Sequence, residues 1–178
     1  MCPQRAGILV FKRIVLFVTI VFGGAFLVAV VANSANTEVV DLGGHDPGTI
    51  VIKTSERKLY YIIDRNRALR FEVGVGRKGK TWSGRATIEG KYLRPAWEPP
   101  DEIRRDNPRL PKLIKGGDAD NPMGAAALTM RGGEYAIHGT NDPHSIGGFV
   151  SYGCIRMHNR DIVRLYELVE VGTPVVVQ

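Results

Sequence analysis

Thr49 to Lys53, Lys58 to Ile63 and Leu69 to Val75 carry β-branched and aromatic residues between turn signals at Ser55-Glu56 and Asp64-Arg65-Asn66. A repeat of two sends successive side chains to opposite faces, so this stretch hides an apolar face only by pairing with itself as antiparallel hairpins. Thr87 to Leu93, Leu128 to Met130, Tyr135 to His138 and Val175 to Val177 read as further strands. Between them, Pro95, Pro99, Pro100, Pro108, Pro111 and Pro122 prevent long regular elements, leaving one helical turn over Asp101 to Arg105. A long insertion of this kind more often covers a site than idles. The one helix expected starts after Asn159, read as its cap, with Asp161 in the first turn and Ile162, Leu165, Tyr166 and Val169 on one face; Gly172 stops it. The expected fold is mostly β: a single β-rich, sandwich-like domain with one α-helix in the C-terminal region, preceded by an N-terminal hydrophobic helix.

That N-terminal helix is read from Arg5, Lys12 and Arg13, which precede nineteen uncharged residues from Ile14 to Ala32, with no acidic residue before Glu38. Basic residues ahead of an apolar run are the layout of an export signal, and the run is also about long enough to span a ~30 Å bilayer. Residues 1–35 are therefore a signal peptide or a membrane anchor, 36–48 a polar, glycine-rich linker, and 49–178 the folded domain, on the outer, periplasmic side of the membrane in either case. Cys2 and Cys154 then lie on opposite sides of it, so no internal disulfide is available and the domain relies on its own core.

The formal charge of +6 falls to +3 without Arg5, Lys12 and Arg13, which leaves 21 basic against 18 acidic residues. The remaining basic residues are not interleaved with aromatic ones, so no nucleic-acid partner is expected.

The chemistry concentrates in Ser151-Tyr152-Gly153-Cys154-Ile155-Arg156, with Cys154 sixteen positions after His138. A lone thiol in an oxidising compartment is a liability unless its reactivity is used. A glycine before the sulfur gives close access, and an imidazole within reach takes a thiol from about pKa 8.5 into roughly the 3.5 to 7.5 range seen for paired cysteines. His138 at a strand end is the expected base, and His144 in the following loop is its competitor. The backbone amides of Gly153 and Cys154 are natural oxyanion donors. Arg156 suits a substrate carboxylate, or else a salt bridge to Asp161 or Glu167. Ser151 is given a supporting role, fixing the loop by hydrogen bonds.

The string His138-Gly139-Thr140, Ile146-Gly147, Ser151, Gly153-Cys154-Ile155-Arg156, Asn159, Asp161 and Val171-Gly172-Thr173-Pro174-Val175 resembles the catalytic domain of the YkuD-like L,D-transpeptidases. Looser similarity runs from Thr49 to Gln178 and includes Gly74-Val75-Gly76 and Asn121-Pro122-Met123-Gly124. The resemblance implies a cysteine acyltransferase with Cys154 as nucleophile, His138 as general base and acid, the Gly139 carbonyl as its orienter, and Ser151, Tyr152 and Arg156 at the substrate. It implies peptidoglycan stem tetrapeptides as donors, release of D-alanine, and a stem peptide, a lipoprotein amine, a D-amino acid or water as acceptor. No cofactor and no metal are implied. The chain departs from the family in two places. Tyr152 stands where many members have His, and Thr81-Trp82-Ser83-Gly84 replaces the usual Thr-Pro-x-Gly, read as altering a turn and not the chemistry.

Two other classes compete with this reading. His138, His144, Cys154 and His158 are zinc-type ligands, though spaced unlike a compact zinc motif. A silent wall-binding domain would keep Cys154 as an inert, buried small hydrophobe.

Overall fold

The computed structural model describes residues 38–132 and 134–178. The segment read as a signal or anchor lies outside the described residues; among those described, no helix is long and apolar enough to cross a membrane. Strands are β1 (Glu38–Asp41), β2 (Ile50–Lys53), β3 (Lys58–Ile62), β4 (Arg67–Gly76), β5 (Gly84–Leu93), β6 (Ala126–Met130), β7 (Ala136–His138), β8 (Phe149–Ser151), β9 (Ile155–Met157) and β10 (Pro174–Val177). Among the described residues two helices, α1 (Asp101–Asp106) and α2 (Asn159–Leu168), and a 3-10 turn at Pro143–Ser145 complete the secondary structure. The architecture is mostly β with one main helix.

The hairpins read from the period of two are present: β2 pairs β3 and β3 pairs β4, both antiparallel, with Ile50 opposite Tyr61 and Leu59 opposite Phe71. The strands run in the order β1-β4-β3-β2-β10-β5-β6-β7-β9, and β9 returns to pair with β4. The two halves of β4 do different work. Arg67 to Glu72 pair with β1 or β3, whereas Val73 and Gly74 lie opposite Met157 and Arg156 of β9, and Val75 and Gly76 opposite β8.

The larger core of the described residues is formed by Ile50, Ile52, Leu59, Phe71 and Val73 with Leu128, Ile137, Ile155 and Met157, and it is capped by Ile162 and Leu165 of α2 and by Val169 just after it. A fully buried side chain of this size contributes about 1.5–3 kcal/mol. A smaller cluster of Val51, Tyr60, Ile62 and Ala68 lies on the other face, covered by Val40 and Leu42. The stretch read as a linker therefore contributes a strand, because β1 shields apolar surface that the outer face of the hairpins would otherwise expose.

The cap of α2 also differs from expectation. His158 occupies the cap position with no side-chain cap bond, and Asn159 is the first helical residue. Its amide is used elsewhere: Oδ1 accepts from the N–H groups of Ala125 and Thr140, both at 3.0 Å, and Nδ2 donates to the Thr140 carbonyl at 2.9 Å. The helix ends at Leu168, before Gly172.

The proline-rich connection has order of its own. Trp97 bridges Ile114, and the buried Asn121 donates to the carbonyls of Pro95 and Lys115 at 2.9 Å and accepts from Met123 N–H. Within it α1 forms at the expected place, with Asp101 and Glu102 in its first turn and Arg104 and Arg105 in its last, as the helix dipole favours.

Candidate active site

β7 and β9 run parallel with Ile137 opposite Ile155 and His138 opposite Arg156. Residues two apart along a strand share a face, so Cys154, just before β9, comes level with Ala136 on the face that carries His138 and Arg156. The imidazole, the thiol and the guanidinium line a single cavity of about 470 Å³ together with Ser151 and Tyr152. Trp97, Ile103 and Met123 of the proline-rich connection form another part of its wall.

Of the four histidines, His138 alone lines this cavity. It is buried, 4% exposed, and its Nδ1 lies 2.7 Å from the Gly139 carbonyl. A carbonyl only accepts, so Nδ1 carries the hydrogen and Nε2 is the basic nitrogen. Burial, joined by the nearby Arg156 charge, lowers the ring to about 4 against the pull of the Gly139 and Pro122 carbonyls. The ring is thus neutral at neutral pH. His144 lies exposed in the 3-10 turn and His158 at the helix cap. Among the described residues no three His, Cys, Asp or Glu side chains gather as a metal would need.

The thiol departs from expectation. Burial pushes Cys154 up, and the Ala136 N–H and the Arg156 charge only partly offset this. A neutral imidazole brings no positive charge to lower the thiol, so sulfur and ring both line the cavity uncharged.

The turn that carries the sulfur is held from three sides. Ser151 Oγ donates to the Cys154 carbonyl at 2.6 Å and accepts the Gly153 N–H at 3.0 Å. That second bond corrects the expectation for Gly153: its amide is engaged by Ser151. The Cys154 N–H has no hydrogen-bond partner among the described residues, so of the two amides expected as oxyanion donors it is the one left uncommitted. Trp82 Nε1 donates to the Gly153 carbonyl at 3.0 Å. The indole also stacks on Tyr135, with centroids 5.0 Å apart and planes 13° from parallel. Gly153 has φ of +123°, and a Cβ there would stand 2.3 Å from the Tyr135 ring. Glycine is required on both counts. The Trp82 departure therefore reaches the site turn, which position in sequence did not reveal.

Tyr152 points to the proline-rich connection. Its hydroxyl donates to Asp106 Oδ2 at 2.5 Å, and Arg77 both pairs with that carboxylate at 2.9 Å and lies 3.9 Å from the centre of the tyrosine ring. Lys80 pairs with Glu102 of α1. Both cations come from the turn after β4, which folds back so closely that a Cβ at Gly76 would meet the Lys80 carbonyl at 2.3 Å. Arg156 makes no ion pair with Asp161 or Glu167; its Nε is buried with no hydrogen-bond partner among the described residues. Asp161 instead lies 3.6 Å from Arg160.

Residues 47–177 match the model of the YkuD family, the L,D-transpeptidase catalytic domain. The probable L,D-transpeptidase ErfK/SrfK of Escherichia coli K12 is 41% identical over 135 residues, which are 71% of this chain and 42% of that protein. The chain thus spans less than half the length of the first curated relatives it matches. A cysteine-to-serine mutant of the Enterococcus faecium L,D-transpeptidase has a similar structure at 18% identity, with a TM-score of 0.59 over 75% of this chain and 50% of that one. A Brucella melitensis protein whose structure bears the name probable carnitine operon oxidoreductase caia is 36% identical, with a TM-score of 0.54 over 83% of this chain and 96% of that one.

Proposed function

The chain belongs to the YkuD family of L,D-transpeptidase catalytic domains, and from that premise we propose that it is a cysteine acyltransferase acting on peptidoglycan stem tetrapeptides in the bacterial cell envelope. The observation that carries this reading is the thiol of Cys154 and the neutral imidazole of His138 on one face of β7 and β9, opening into one cavity.

The uncharged pair calls for general-base activation at the moment of attack. As Sγ of Cys154 approaches the carbonyl of the diaminoacyl residue, Nε2 of His138 takes the thiol proton and a C–S bond forms. The carbonyl electron pair moves onto oxygen, where the Cys154 N–H receives it; one such donor is worth about 2.7–4 kcal/mol where measured. Collapse breaks the C–N bond, and the imidazolium returns its proton to the departing amine of D-alanine. In the second half an acceptor amine attacks the thioester, His138 takes its proton, a new C–N bond forms, the C–S bond breaks, and the imidazolium returns the proton to the departing sulfur. The Gly139 carbonyl keeps Nδ1 protonated throughout, and Arg156 offers its uncommitted guanidinium to a substrate carboxylate.

The stem peptide, the acceptor and the periplasmic location come to this chain from the family resemblance, with a lipoprotein amine as alternative acceptor. The N-terminal segment is the proposed route to the membrane, and residues 49–178 the proposed catalytic domain. Incubation of the full chain with tetrapeptide muropeptides and an amine acceptor, read by mass, tests the assignment. Loss of D-alanine with transfer is expected, and none with Cys154→Ala. Loss of D-alanine without transfer would make the enzyme an L,D-carboxypeptidase, and unchanged turnover by Cys154→Ala would refute the reading.

A further inference from the structure

The peptide unit between Gly153 and Cys154 carries the amide next to the sulfur, which has no hydrogen-bond partner among the described residues and so can meet a developing oxyanion, and its orientation is not fixed by its own residues. Glycine tolerates several backbone conformations, so this plane can rotate at little cost unless something holds it. In a trans peptide the C=O and the N–H point in opposite directions. Whatever anchors the Gly153 oxygen therefore aims the Cys154 N–H.

That anchor is Trp82. Its indole N–H donates to the Gly153 carbonyl at 3.0 Å across 71 residues of sequence. The same indole stacks on Tyr135, whose ring fills the space beside the Gly153 Cα where a Cβ would collide at 2.3 Å. Ser151 Oγ holds the two outer groups of the turn, the Gly153 N–H and the Cys154 carbonyl, and leaves the central plane untouched. We propose that Trp82 is a positioning residue for acyl transfer, fixing the Gly153–Cys154 peptide so that the Cys154 N–H faces the oxyanion. The inference rests on the reading of Cys154 as the acyl nucleophile, but not on the identity of the peptide substrate.

Two reagents separate this role from general support of the fold. Acylation of Cys154 by 4-nitrophenyl acetate passes through a tetrahedral oxyanion: the C–S bond forms, the C–O bond breaks, 4-nitrophenolate departs and His138 takes the thiol proton. Alkylation by iodoacetamide displaces iodide at a saturated carbon and forms no oxyanion. Both rates are measured on the full chain and on Trp82→Phe, which keeps a ring on Tyr135 but has no N–H. The expected result is a fall of about 10- to 100-fold in the ester rate, less than the 10²–10³ of removing a donor outright, with the iodoacetamide rate unchanged. Replacement of Trp82 by benzothienylalanine, which has the shape of Trp with sulfur for N–H, gives the same comparison if Trp82→Phe does not fold.

Equal rates in parent and variant for both reagents would overturn the proposal. So would a parallel fall in both, which marks a structural effect on the thiol, or a parent whose ester-to-iodoacetamide ratio equals that of an unfolded cysteine peptide. Failure of the parent on muropeptides with the ester result intact would remove the substrate and leave Trp82 in its role.

Discussion

The hydroxyl of Tyr152 and the carboxylate of Asp106 meet at 2.5 Å, tying the residue two before the thiol to the end of α1. Around that contact, Arg77–Asp106 and Lys80–Glu102 complete a purely polar clasp, because α1 has no buried residue of its own. The α1 part of the cavity wall is thus fastened by charge. Exposed pairs are weak singly and are screened as the Debye length shrinks from about 8 Å at physiological salt to about 3 Å at 1 M. Limited proteolysis should therefore cut within residues 95–122 faster in high salt, and Tyr152→Phe should do the same at low salt. The same variant should raise KM for a stem peptide by about three- to tenfold, the weight of one polar contact, with kcat unchanged.

Removing the groups proposed for proton transfer should act on kcat. Cys154→Ala should abolish covalent trapping by a carbapenem, seen as the absence of an adduct in intact mass. His138→Ala should lower acylation by about 10²–10⁴-fold, the usual weight of a general base. His144→Ala, altering an exposed turn outside the cavity, should stay within about twofold of the parent, as surface changes usually do. The reverse ranking of the two histidines would move the base to His144.

The neutral pair has a pH signature. With His138 at about 4, acylation should rise through that pH and level off well before neutrality, whereas iodoacetamide alkylation should keep rising past the ordinary thiol range of about 8.5. A thiolate already formed at neutral pH would give a flat alkylation profile instead. Stability follows the same group. Below its ordinary 6.5 the unfolded chain takes up a proton that the folded ring refuses until about 4, so the contribution of His138 is complete above that window and lost on acidification through it. Asp161, raised by burial, works the other way. Comparison with His138→Gln isolates the ring: between about pH 7 and pH 4.5 the parent should lose about 2 kcal/mol more in urea denaturation than the variant.

Asn159→Ala should destabilise the fold by about 2–3 kcal/mol, since three hydrogen bonds that join the start of β6, the loop after His138 and the start of α2 go with one amide. Chemical denaturation with an unchanged m-value is the check. A cost of a few tenths would mean that water replaces all three.

The hairpins from Ile50 to Gly76 were legible because their alternation exceeds what a loop shows by chance. β8 and β9, three residues each, were not: segments so short carry no period, and they become strands only through their pairing with β4 and β7. β1 was hidden for a related reason, its polar surroundings masking Val40 and Leu42, which matter only once Tyr60 and Ala68 lie beneath them. At the site, residue types and spacing pointed to the thiol, the imidazole and the glycine. They gave no measure of burial, and burial sets the charge of both ring and sulfur. Tyr135 and Asp106 were missed as site residues and Trp82 was read as altering a turn only, because each reaches the site through space from a distant segment.

The divided pairing of β4 has a consequence for how such chains diversify. Its first half is in register with β3 and its second with the strand that follows the sulfur, and side chains switch faces with every residue. A single inserted or deleted residue between Phe71 and Gly74 would turn one of those two ladders over and so misplace Arg156 or empty the core. Natural length variation should then spare this strand and accumulate in the proline-rich connection, where the cavity wall can be recut without disturbing the frame that presents the thiol.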